Sequence, residues 1–427
     1  MMKTTRMVLL AAVATVILAI ALAWPRAALV PASSPAAWAS TPANIARGAY
    51  LARAGDCIAC HTTRGGVAYA GGRALDTPFG RFYGPNLTPD RDTGIGAWSA
   101  DDFWNALHNG IAPNGRLLYP AFPYTNYTKV TRPDADALYA YFRSLPPQRQ
   151  ANRPHAVRFP YDQQALLAGW RLLYFRPAVH APQPARSASW NRGAYLVEGL
   201  GHCSACHSAR NGLGATDGTL GGGMIPTLGW YAPSLTANRE AGLGDWSDAH
   251  IVALLGTGIS PRGAATGPMA EVVARSLQYL TPDDLGAMAG YLKTLAATPA
   301  SAQPAPAPAS MTAAEQVLAE GGRIYAAQCA ACHGDDGKGR TPAYPPLAGN
   351  RAVLMTPAVN AIRLTVNGGF PPGTRGNPRP YGMPPFGHEL NDAQVAAVLT
   401  WIRASWGNTG APVTATEVNR YRAVSLD

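Results

Sequence analysis

The six cysteines in this 427-residue chain form three pairs, each inside C-x-x-C-H: Cys57-Ile-Ala-Cys60-His61, Cys203-Ser-Ala-Cys206-His207 and Cys329-Ala-Ala-Cys332-His333. Two thiols one helical turn apart can both form thioethers to the vinyl groups of one haem. The histidine that follows then lies beneath the iron as an axial ligand. The pattern predicts three covalently bound haem c groups. The six cysteines are the attachment points, and His61, His207 and His333 are the iron ligands. Other cysteine chemistry fits less well. A disulfide framework would scatter its cysteines and has no use for a histidine after every pair. A thioredoxin-like C-x-x-C needs a βαβ setting that is not evident here. A zinc site needs two C-x-x-C elements close together, whereas these lie more than 120 residues apart.

A low-spin electron carrier commonly holds its iron with histidine on one face and methionine on the other. Met383, in Tyr381-Gly-Met383-Pro-Pro-Phe386, lies 50 residues after His333, and Met269, in Gly267-Pro-Met269-Ala-Glu, lies 62 residues after His207. These two are the expected axial ligands, while Met224, Met288 and Met355 read as packing residues. The first motif has no such partner, because no methionine occurs between Met7 and Met224. Its matching element is Leu118-Tyr-Pro-Ala-Phe122-Pro-Tyr124, which puts Ala121 or Phe122 opposite Met269. Neither side chain can ligate iron. The first haem is therefore five-coordinate or bound by another group. His108 and His155 are the imidazole candidates, and Tyr119, Tyr124 and Tyr127 are further oxygen donors.

The elements that position these residues recur along the chain. Arg47-Gly-Ala-Tyr-Leu51 returns verbatim as Arg192-Gly-Ala-Tyr-Leu196, and Gly322-Arg-Ile-Tyr325 echoes it before the third motif. Pro85-Asn-Leu-Thr88 and Gly94-Ile-Gly-Ala-Trp-Ser99 match Pro233-Ser-Leu-Thr236 and Gly242-Leu-Gly-Asp-Trp-Ser247 at a constant offset of 148. Two domains are thus duplicates and a third is a more distant relative. The expected fold is mainly α: three tandem small cytochrome c domains with long irregular loops. The domains are 41–147, 187–295 and 312–410. A connecting arm with an apolar helix fills 148–186, an Ala/Pro linker 296–311 and a tail 411–427. Each domain closes on a helix signature, as in Thr281-Pro-Asp-Asp284 or Asn391 with Gln394. The arm's segment from Leu166 to Phe175 reads as a helix packed on its own domain or as a docking surface.

Residues 1–40 contain no Asp or Glu, and Lys3 and Arg6 precede an apolar run from Met7 to Trp24. That layout reads as an export signal or an N-terminal membrane anchor, and either places the rest outside the cytoplasm. The formal charge of +10 suits acidic partners or anionic lipid, and no basic run interleaved with aromatics points to nucleic acid.

In order along the chain, these motifs resemble the triple-haem cytochrome c subunits of bacterial membrane-associated dehydrogenases. The residues carrying the resemblance include Gly48-Ala-Tyr-Leu-Ala-Arg-Ala-Gly-Asp-Cys57, Asn86-Leu-Thr-Pro89, Val197-Glu-Gly-Leu-Gly-His-Cys203, Gly267-Pro-Met-Ala-Glu-Val-Val273 and Pro345-Pro-Leu-Ala-Gly349. The partners in that family are quinoprotein alcohol dehydrogenases, flavin-containing gluconate or sorbitol dehydrogenases, and molybdenum hydroxylases acting on aldehydes or N-heterocycles. The resemblance implies a periplasmic chain on the outer face of the cytoplasmic membrane. It would pass electrons from a catalytic dehydrogenase subunit towards ubiquinone or a terminal oxidase. By the same resemblance Met269 and Met383 fall at axial positions. Phe122 departs from the Pro-Ala-Met-Pro-Tyr of alcohol and gluconate types, and Pro-Ala-Phe-Pro-Tyr looks more like the cytochromes of molybdenum hydroxylases. The chain has no dinucleotide fingerprint, so substrate oxidation falls to a partner. The rival reading is a haem enzyme with catalysis at an open first haem. A haem-based sensor has less support, since no signalling domain is attached.

Overall fold

The computed structural model describes residues 38–238, 241–297 and 311–424. The apolar run Met7–Trp24 and most of the Ala/Pro linker lie outside the described residues. The described chain groups into two compact units, one of residues 38–52 and 60–181, the other of 53–59 and 182–424.

In the first unit, helix Pro42–Ala54 packs on helix Arg132–Ser144. The second of these starts cleanly because Thr131 is extended, Pro133 occupies the first turn, and Asp134 faces the free N–H groups. The helices approach closely at Gly48, where a Cβ would stand 1.9 Å from the Ala137 carbonyl oxygen. Arg47 Nε donates to Asp134 Oδ1 at 2.9 Å beside the crossing. Leu51, Leu138 and Phe142 are buried there, and Tyr69 meets the Phe142 ring edge-on at 5.2 Å.

The connecting arm belongs to this unit. Antiparallel strands Ala74–Thr77 and Gly80–Tyr83 accept a third strand, Ala156–Val157, from the arm. Helix Gln164–Tyr174 then seats Leu167 and Ala168 against Leu117. Arg171 anchors it, donating to the Asn109 carbonyl at 2.6 Å with its guanidinium over the Tyr124 and Phe175 rings. The opposite side leaves Leu166, Leu172, Leu173 and Tyr174 exposed. One face packs on its own domain, and the other is an open apolar surface.

In the second unit the same plan appears twice. Helix Ala188–Tyr195 crosses Pro282–Leu292 at Gly193, whose Cβ would lie 2.0 Å from the Ala287 carbonyl. Arg192 grips Asp284 with two hydrogen bonds of 2.8 Å. Helix Met311–Gln328 crosses Asp392–Ala404 at Gly321, where a Cβ would lie 2.2 Å from the Ala397 carbonyl. The second copy has one more residue than the first between its Gly-Ala-Tyr-Leu and its first cysteine. A π-helical turn at Leu196–Leu200 absorbs it, as single insertions in helices often are.

Residues 411–427, read from sequence as a tail, contain a helix that completes the third domain. Ala415–Arg422 starts with a capping box of Thr414 and Glu417, and Val418 is fully buried in the core with Ile362, Val395 and Leu399. Arg422 donates to the Gly387 and Leu390 carbonyls and pairs with Asp392. The pattern was hard to see because only Val418 and Tyr421 carry it. Val418→Ala should cost about 2 kcal/mol in urea unfolding of the third domain. A loss below about 0.5 kcal/mol would show that the helix is dispensable.

The second and third domains meet through side chains on backbone. Asn360 accepts from the Tyr231 N–H at 2.9 Å and donates to its carbonyl at 2.7 Å, which extends the edge of strand Trp230–Ala232. Arg363 lies over the Trp230 ring, and Thr374 donates to the Thr257 carbonyl at 2.9 Å.

Candidate haem centres

The first C-x-x-C-H motif is the short helix Cys57–His61, and Cys203 and Cys329 cap the matching turns Ser204–His207 and Ala330–His333. The His207 and His333 N–H groups donate to the Cys203 and Cys329 carbonyls at 2.9 and 3.0 Å, so each pair of sulfurs projects from one turn. None of the six cysteines is in a disulfide.

The three histidines are held alike. His61, His207 and His333 are buried, and Nδ1 of each donates to a proline carbonyl: Pro85 at 2.8 Å, Pro233 at 2.6 Å and Pro345 at 3.0 Å. A carbonyl can only accept, so the proton sits on Nδ1 and the Nε2 lone pair is left for a metal. Burial lowers all three imidazoles, His207 to about 4, which keeps them neutral and able to ligate. A second clamp holds each backbone. The His61, His207 and His333 carbonyls accept from the N–H groups of Gly71, Gly222 and Gly339 at 2.8, 2.9 and 2.9 Å. All three glycines have positive φ, at 82°, 99° and 64°, where a side chain would be strained. Sequence reasoning marked Pro85 and Pro233 only as repeat residues and missed the glycines. The recurrence of the Pro-x-Leu-Thr element after both duplicated motifs was the available signal.

Two thiols on one turn with a buried, Nδ1-protonated imidazole are the donor set that covalent haem c requires, and these residues fit it at each motif. Among the described residues no three His, Cys, Asp or Glu side chains gather into another metal-binding group. That removes the zinc reading's ligands.

The distal candidates are less uniform. Met269 is half-buried near the start of helix Pro268–Arg275. The preceding Gly267 has φ 55°, and a Cβ there would strike the Trp230 ring. Met383 is half-buried and its backbone is bridged to Gly369 in both directions, at 2.8 and 3.0 Å. Met355 and Met288 are core residues, 1% and 2% exposed. In the first domain Phe122 packs against Tyr127. His108 stacks on Trp104 and donates from Nδ1 to the Thr128 carbonyl at 2.7 Å. His155 accepts the Tyr83 N–H and lies against Phe82. Tyr119 donates to the Asp162 carbonyl. Tyr124 is fully buried beside Arg171, and desolvation pushes its hydroxyl up to about 12.

The cytochrome c family model matches the chain over residues 45–146, 191–296 and 318–406. The chain is 42% identical over 413 residues to the gluconate 2-dehydrogenase cytochrome c subunit of Pantoea cypripedii, covering 91% of this chain and 92% of that protein. It is 38% identical over 406 residues to the cytochrome c subunit of the quinone alcohol dehydrogenase of Gluconacetobacter polyoxogenes, covering 90% and 86%. A nicotinate dehydrogenase subunit of Pseudomonas putida is 42% identical over 391 residues, and there the chain spans 90% of its own length but 32% of the relative's. With three C-x-x-C-H turns of one design and a match in each domain, this chain belongs to the cytochrome c family, as a multihaem electron-transfer protein.

Proposed function

We propose that the chain binds three haem c groups and serves as the electron-transfer subunit of a periplasmic dehydrogenase, working at the outer face of the cytoplasmic membrane. The observation that carries this reading is the threefold recurrence of a buried histidine with Nδ1 on a proline carbonyl. The bound haems supply one-electron redox chemistry. The chain attaches them through Cys57, Cys60, Cys203, Cys206, Cys329 and Cys332, orients the proximal imidazoles and shields them from water. Met269 and Met383 are the proposed distal ligands of the second and third centres.

The partner is a catalytic dehydrogenase subunit, and ubiquinone or a terminal oxidase is the proposed acceptor. Support comes from relatives that are cytochrome subunits of gluconate and alcohol dehydrogenases. The open apolar face of Leu166, Leu172, Leu173 and Tyr174, with Phe159 80% exposed nearby, is the proposed docking surface of the arm. No helix among the described residues is long and apolar enough to cross a membrane, so that surface and the segment before residue 38 are the places to look for attachment.

The test is affinity purification of the tagged full chain from membranes of its host. Three haems per chain by pyridine haemochrome and a co-purifying dehydrogenase subunit are expected, with the haems reduced when that subunit's substrate is added. A chain that purifies alone and is not reduced by any dehydrogenase of the host sinks the reading.

The lack of a methionine between Met7 and Met224 favours keeping a second reading, chemistry at an open first haem. Carbon monoxide binding to the reduced protein, lost in the Cys57→Ser/Cys60→Ser chain, would keep it. Three haems that ignore carbon monoxide and cyanide would end it.

A further inference from the structure

The third domain brings a charged group to the second haem centre. Arg351 opens the short helix Arg351–Leu354, whose start is capped by the Asn350 side chain. Its Nη1 donates to the Ser234 carbonyl at 3.1 Å, and its guanidinium lies 4.9 Å from the centre of the Trp246 ring. Ser234 directly follows Pro233, the residue whose carbonyl receives His207 Nδ1 at 2.6 Å. Two consecutive carbonyls of one loop thus hold the proximal imidazole and the guanidinium of the neighbouring domain.

The surroundings keep this charge effective. Ser234 is 3% exposed, Thr236 1% and Trp246 5%, so little water stands between the guanidinium and the loop. Arg351 has no carboxylate partner among the described residues. Desolvation pulls it down to about 10, so it is still cationic at neutral pH.

The duplicate domain lacks this device. At the position of Ser234 it has Asn86, whose side chain donates to the Gln148 carbonyl of its own unit at 2.7 Å. Trp98, the counterpart of Trp246, is only half-buried. Two sites built from the same repeat therefore differ by one half-buried positive charge.

We propose that Arg351 is a positioning residue of the second haem centre: its uncompensated charge, held on the carbonyl beside the one that orients His207, raises that haem's reduction potential. Reduction removes one positive charge from a ferric haem, so a fixed cation nearby favours the reduced state. Because the residue comes from the third domain, the second haem has this potential only while that domain is docked. The inference rests on the reading that Cys203, Cys206 and His207 carry a haem.

The test is a spectroelectrochemical titration of the full-length holoprotein, wild type against Arg351→Gln and Arg351→Lys. The step belonging to the second haem is identified by its absence in a Cys203→Ser/Cys206→Ser chain. In Arg351→Gln that step should move to lower potential by about tenfold in its equilibrium constant, 59 mV for a one-electron couple. The other two steps should stay in place, and Arg351→Lys should show a smaller shift. An unmoved second step overturns the proposal. So does an equal shift of all three, which would mark a general loosening of the fold. Should Arg351→Gln fail to fold, the neutral Arg351→Met chain decides: a second step that moves to lower potential supports the proposal, and an unmoved one contradicts it. A wild-type chain with no haem at Cys203 and Cys206 overturns the underlying reading, and this inference with it.

Discussion

If three haem c groups are bound as proposed, serine at both Cys203 and Cys206 should leave the chain with two instead of three by pyridine haemochrome, and a second domain that does not reach its native fold. The expected loss is large because the haem is part of the core. In this domain His207 is buried and tied to Pro233, while Gly222, at a positive φ, donates its N–H to the His207 carbonyl. A haem bound there would cover these buried groups, and without it they lose the environment that repays their desolvation. Limited proteolysis should then cut between residues 187 and 295 first. A variant that keeps three haems, or loses one and resists proteolysis as the wild type does, would contradict this account.

The second large effect is expected at a residue with no chemistry. Gly321→Val should destabilise the third domain by about 3 kcal/mol, lowering its melting temperature by roughly 15 °C. A Cβ at Gly321 would stand 2.2 Å from the Ala397 carbonyl oxygen and 2.7 Å from Cβ of Trp401. Both obstacles are fixed to the closing helix, so the helices must separate. Separation also breaks the contact of Tyr325 with Trp401, whose rings lie 4.7 Å apart. The control is Gly290→Ala, in the closing helix of the second domain, where a Cβ would meet nothing within 4 Å. That change should stabilise by about 0.5–1 kcal/mol through helix propensity alone. Equal effects of the two in thermal melts would show that the close crossing is not what Gly321 provides.

How legible these features were in the sequence depends on their physical kind. The three C-x-x-C-H turns were legible, since thioether chemistry demands particular residues at a fixed local spacing. The duplicated plan was legible too, because Arg47-Gly-Ala-Tyr and Arg192-Gly-Ala-Tyr serve one purpose: a guanidinium on the acid of the closing helix and a glycine at the crossing. That Gly321 does the same was hidden, since the echo Gly322-Arg-Ile-Tyr325 points to the glycine after it. The groups that orient each histidine were also invisible. Pro85, Pro233 and Pro345 act through main-chain carbonyls, at 24, 26 and 12 residues from their histidines, and no residue type advertises such an atom. The helix Ala415–Arg422 escaped because its buried face is essentially one valine. Arg351 escaped because its role depends on a contact 117 residues away in sequence, with Ser234.

The use of carbonyls to aim the three imidazoles has a consequence for how the chain tolerates change. A side-chain hydrogen-bond partner can be deleted by one substitution, whereas these acceptors survive any replacement of the residue that bears them. What can misdirect the imidazole is an insertion or deletion that alters the path of the loop. Drift among relatives should therefore be permissive in residue identity along these loops and strict in their length between each glycine clamp and its proline.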